Sequence, residues 1–415
     1  MSSGILLIAL AVVLGPQSGP SSDRLYGRLL TAGGERLEGY LRWDRNETHW
    51  ADFLDGQKEI PWEHVREAER LDDEFRRLRE LERSISLPGL RISWDEDDED
   101  DPLTAASGIR FGHVTSIEVL DERRALLRLK SGEEMSLRGG STDLGRSFRS
   151  LVVEDSGRGE VELRWRDLAR VDFMSAPANR QAPTAGRLRG TLRTRGGAVL
   201  TGFVAWDLDE TLTTDILDGR DGRRRHEVEF GRIARIERDG STRARVTLRS
   251  GEVITLRGTN DVNAENRGIE ITDPTLGRMV VRWDQFESLA FDVADDGLAP
   301  YGAFEGGRAL RGTVETRDGV SHAGRLRWDN DESFSWELLD GRSEGVQYGV
   351  ELAAVRTIDR VGLSAARVGL RDGRSLVLEG ASDVSEDNRG IFVTGDEGDT
   401  VLVRWRDFQR VRFVE

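Results

Sequence analysis

A chain of 415 residues is long enough for two to four domains. With 37% hydrophobic and 33% charged residues it can bury cores, though small ones wrapped in charge. A formal charge of -16 sets the global field against nucleic acid and anionic lipid, and the lack of cysteine excludes disulfides, Cys-based zinc sites, thiol chemistry and lipid attachment through cysteine.

The chain opens with an apolar run, Ile5 to Leu14, of signal-peptide length and too short to span a bilayer. No Lys or Arg precedes it and no clean A-x-A site follows it. The expectation is a signal peptide within residues 1–22, cut between Ser18 and Ser22, with a retained N-terminal anchor as the alternative. Either places the protein outside the cytoplasm, in the periplasm or the extracellular space. No later segment is apolar enough to give the mature chain a transmembrane span.

Beyond that run the sequence repeats. "YGRLLTAGGERLEGYLRWDRNE", "RGTLRTRGGAVLTGFVAWDLDE" and "RGTVETRDGVSHAGRLRWDNDE" align on Gly27, Gly190 and Gly312, with Gly39, Gly202 and Gly324 twelve residues later. Trp43, Trp206 and Trp328 follow, then the Asp of L-D-G at Asp55, Asp218 and Asp340, at one spacing in all three places. A second half follows each time, ending in W-x-D-[FL]-x-x-[VL]-x-F, with Gln285 in place of the Asp in the second repeat. The repeats span 23–173, 186–292 and 308–415, joined by Pro/Ala/Gly-rich linkers at 174–185 and 293–307.

The first repeat carries an insertion, roughly 63–107. Leu71, Phe75, Leu78, Leu81 and Ile85 form one apolar stripe on a charged helix, a candidate partner-docking face or a cover for a barrel mouth. The acidic run from Trp94 to Pro102 reads as a solvated loop.

Elsewhere short alternating runs end in Ser-Gly, Asp-Gly or Gly-rich turns, the pattern of antiparallel strands. Each half-repeat predicts four to five of them. That economy, with a G-x(4)-G-x-[LV] hairpin in each first half, resembles SH3-like and Sm-like barrels at the level of fold. The expected fold is all-β: a tandem array of small antiparallel barrels, three double modules with one helical insertion. A six-bladed β-propeller is the alternative.

The W-D-x-[ND]-E phrase invites a chemical reading. Asp329, Asp331, Glu332 and Asp340 could supply oxygen ligands to calcium, but the D-x-[DN]-x-[DN]-G loop and its glycine are missing. A hairpin accounts for every anchor, so no metal and no cofactor is expected. In the second halves Asp143, Asp261 and Asp383 are each followed six residues on by Arg149, Arg267 and Arg389. The expectation is an ion-pair latch within one loop; an arginine gripping an anionic ligand is the rival. Trp43, Trp165, Trp206, Trp283, Trp328 and Trp405 recur as anchors, which points to cores rather than to platforms for sugar rings.

The histidines are scattered, and no H-E-x-x-H, G-x-S-x-G, Walker or G-x-G-x-x-G motif occurs. The reading is an exported, non-enzymatic β-repeat protein that binds or scaffolds, its partner a protein or another envelope component. A glycan-binding or glycan-cleaving protein using Trp and carboxylates is the alternative.

Overall fold

The computed structural model describes residues 23–71, 104–181, 183–292 and 298–414. They are nearly all β. In the first unit the strands are β1 (Tyr26–Thr31), β2 (Arg36–Arg42), β3 (Phe53–Glu59), β4 (Thr104–Arg110), β5 (Val114–Val119), β6 (Arg124–Leu129), β7 (Glu134–Arg138), β8 (Leu151–Asp155), β9 (Gly159–Leu163) and β10 (Leu168–Phe173). Helix α1 (Trp62–Leu71) lies between β3 and β4. Alternation sets the faces: along β6, Ala125, Leu127 and Leu129 turn into the core while the arginines stay out.

The ten strands form one antiparallel sheet, β4-β3-β7-β6-β5-β10-β1-β2-β8-β9. Residues 189–291 and 311–413 pair their strands in the same order. The expectation of one small barrel per half-repeat is corrected by this order. First-half strands pair with second-half strands (β1 with β10, β2 with β8, β3 with β7), so the halves interleave. No closed barrel and no set of six blades forms among the described residues. A five-stranded half would leave two open edges, and pairing across halves satisfies those backbone groups.

β3 and β4 stay in register from Phe53–Arg110 to Glu59–Thr104, so residues 104–107 belong to a strand and not to the insertion. The insertion leaves from the tip of this hairpin, where the second unit has only a short turn between Asp221 and Arg224. α1 buries Val65 and Ala68, and Glu67 pairs with Arg327 of the third unit at 2.8 Å. Its described part is thus docked by one face, while Trp62, Glu63, Arg66 and Arg70 stay exposed. Leu71 closes the helix; Phe75, Leu78, Leu81 and Ile85 lie outside the described residues, as does the 1–22 segment. Among the described residues no helix is long and apolar enough to cross a membrane.

The second and third units share one sheet, because Gly277–Val281 pairs with Val346–Glu351. The approach is close: a Cβ on Gly277 would lie 2.1 Å from the carbonyl oxygen of Gly349, and its φ is +133°. Only glycine fits there.

The first unit is held to the others by side chains. Arg110, almost fully buried, reaches the carbonyl of Ala51 in its own unit, that of Asp273 in the second, and the Glu351 carboxylate in the third at 2.6 Å. The segment following residue 297, expected to be a linker, folds onto the first unit. Tyr301 lies 4.3 Å from Trp50, ring to ring, and its hydroxyl donates to the Val114 carbonyl. The chain has only two lysines, and both serve the first unit's contacts. Lys58 donates to Glu337 and to the Asp331 carbonyl, while Lys130 caps the Tyr301 and Phe304 carbonyls. A compact ammonium with rotatable donors suits such pockets better than a planar guanidinium.

Candidate functional site: repeated turns and the cleft between units

Each W-D-x-[ND]-E phrase is a tight hairpin, with Trp and Glu bridged at Trp43–Glu47, Trp206–Glu210 and Trp328–Glu332. Its first two loop residues are left-handed: Asp44 and Arg45, Asp207 and Leu208, Asp329 and Asn330. Asp and Asn tolerate that conformation, whereas Leu208 carries a cost.

The carboxylate beside each tryptophan then ties the two halves together. Asp44, Asp207 and Asp329 are completely buried and accept the backbone N–H of Arg149, Arg267 and Arg389. The same arginines close on them with their guanidinium groups, at 3.0, 3.2 and 3.0 Å. The expected latch is therefore re-partnered: the arginines engage the turn aspartates, not Asp143, Asp261 and Asp383. Those three instead accept the backbone N–H of Asp55, Asp218 and Asp340, and their carbonyls accept the indole N–H of Trp43, Trp206 and Trp328. All six anchor tryptophans are buried, which leaves none of them as a platform for sugar.

An element missed in the sequence recurs at equal spacing. Asp52, Asp215 and Glu337 each accept two backbone N–H groups of the same corner. Each also meets a cation from another unit: Arg187 at 3.2 Å, Arg42 at 2.9 Å, and Lys58. An acidic residue nine positions after Trp43, Trp206 and Trp328 was the available signal.

Burial crowds carboxyls at each corner. Burial first, then Asp261 and Asp209, pushes Glu210 up to about 9, and burial pushes Asp261 up to about 6. Glu47 and Asp143 are raised well above the usual range, chiefly by burial. In the third unit Glu332 and Asp383 are raised likewise. Of the calcium candidates, Asp329 and Glu332 come together, and Asp383 joins them within 4.8 Å. Asp331 turns to Lys58 and Arg389, and Asp340 lines the cleft described next.

A cleft of about 540 Å³ opens where the units meet. Asp52 and Asp55 come from the first unit, Glu270 and Arg278 from the second, and Arg342 and Tyr348 from the third. Arg278 lines it, 2.6 Å from Asp55 and close to Glu270 and Asp340. Burial opposes its charge, and these carboxylates overcome that and hold it protonated. Glu270 is pushed up by burial against the pull of Arg278. Aromatic faces complete the wall: the Arg278 guanidinium lies 5.2 Å from the Phe53 ring centre. The arrangement can orient a polar ligand by charge and by aromatic contact. In the first unit the positions equivalent to Glu270, Arg278 and Arg342 hold Val152, Glu160 and Gln57, so the repeat pattern did not mark them in advance. No family model, curated protein or solved structure matches this chain.

Proposed function

We propose that the chain is an exported, non-enzymatic protein of three tandem β units that acts as a binding or scaffolding module, with the central cleft as its recognition surface. The observation that carries this reading is the cleft's origin: residues from every unit line it, and no single unit could form it. The aspartates that recur at the corners, Asp44 and Asp207 and their partners Asp143, Asp261 and Asp383, accept backbone N–H groups there. What remains available is the charge of the cleft, which suits a polar protein segment or another envelope component.

Affinity capture from the native envelope tests this, using the intact chain against a Glu270→Gln, Arg342→Glu variant. A partner that the intact chain retains and the variant loses supports the reading. Identical capture by both would overturn the assignment of the cleft.

A further inference from the structure

We propose that the third corner binds a calcium-sized divalent cation between Asp329, Glu332 and Asp383. Their carboxylate oxygens lie within 4.8 Å of one another. Oxygen ligands stand about 2.3–2.6 Å from calcium, so three carboxylate oxygens this close can share one such ion, whereas magnesium dehydrates reluctantly and is seldom held by an all-protein cage.

A separate observation points to a ligand. Glu332 is 6% exposed, and its Oε2 has no hydrogen-bond partner although the side chain faces the two aspartates. A buried oxygen without a donor is costly unless something fills its coordination. Charge points the same way. Arg389 is engaged by Asp329 and Asp331, and Lys58 by Asp331 and Glu337. Among the described residues no cationic side chain forms an ion pair with Glu332 or Asp383, so a divalent ion would meet no competing cation there.

The surroundings would hold such a site in shape. The Asp340 N–H fixes one Asp383 oxygen, and the Trp328 indole donates to the Asp383 carbonyl. Glu47 and Glu210 also have a bare Oε2, but among the described residues only the third corner gathers three ligand atoms this closely. The other corners are therefore internal controls. This inference stands independently of what the cleft binds.

Terbium, a luminescent calcium substitute, tests it on the full chain, with Trp328 beside the site as the antenna. Excitation of tryptophan should give saturable terbium emission that calcium displaces and magnesium does not. Glu332→Gln keeps the side chain's shape and removes its charge; it should weaken binding by more than about tenfold, while Glu210→Gln leaves it unchanged. Far-UV circular dichroism checks that both variants fold, and Asp383→Asn, which can still accept the Asp340 N–H, serves if Glu332→Gln does not. Absence of saturable emission, or emission that the third-corner variant leaves intact, overturns the proposal.

Discussion

The re-partnered latch makes a quantitative prediction in the second unit, where Asp207, Asp261 and Arg267 meet at one corner. Arg267 is half exposed, so its ion pair with Asp207 contributes only about 1 kcal/mol after solvent screening, and Arg267→Ala should cost about that. Asp207 is different. It is completely buried and accepts the Arg267 N–H, the Arg267 guanidinium and the Asn260 side chain. Asp207→Ala strands those donors, at about 1–3 kcal/mol for a buried one, and places alanine at φ +54° for about 1 kcal/mol more. The expected loss is on the order of 3 kcal/mol, well above that of Arg267→Ala. Double-mutant cycles by urea denaturation, followed by tryptophan fluorescence, should find about 1 kcal/mol of coupling between Asp207 and Arg267 and less between Asp261 and Arg267. The charge swap of Asp261→Arg with Arg267→Asp should not restore stability. Stronger coupling at Asp261 than at Asp207, or rescue by that swap, would refute the pairing.

Three further outcomes follow from the same geometry. Because the folded state raises Glu210 to about 9, it holds a proton that the unfolded chain releases near the ordinary value of 4.5. Its contribution to stability should therefore be fully present below that lower value and be lost as pH rises through the higher one, and Glu210→Gln should flatten that decline in thermal melts; an unchanged pH profile would contradict it. Leu208 occupies φ +56°, where the third unit places Asn330, so Leu208→Asn should raise stability by about 0.5–1 kcal/mol in urea titrations, and a loss would count against strain at that corner. Burial lowers Lys130 to about 8, while Glu337 and Asp331 overcome the burial of Lys58 and keep it charged. An amine-acylating reagent at mildly alkaline pH should modify Lys130 well before Lys58 by peptide mapping, and equal rates would refute the Lys58 pocket.

Much of this architecture was legible in the residue spacing. Asp-Gly corners, alternating strands and the burial of the anchor tryptophans all follow from local pattern, and the hairpin at Trp328 formed where Asp329 and Asn330 allow left-handed backbone. Strand partners were not legible. Alternation says which face of β1 is buried, but not that β10, a second-half strand, lies on the side of it away from β2. The same limit misled the latch. Asp261 and Arg267 are close in sequence, yet Arg267 folds back to Asp207, a residue whose place beside the anchor tryptophan marks it as part of a turn. The cleft was the least visible feature, since Glu270 and Arg278 of the second unit come to share it with Asp55 and Arg342 only when separate units meet.

Everything proposed for that cleft depends on the second and third units zipping into one sheet along its wall. Val280 and Gln347 face each other across this junction and both line the cleft. The chain has no cysteine, so Val280→Cys with Gln347→Cys introduces one unambiguous pair. Under mild oxidation a disulfide should join the two peptides in a proteolytic mass map. Two free thiols in the folded protein would contradict the shared sheet.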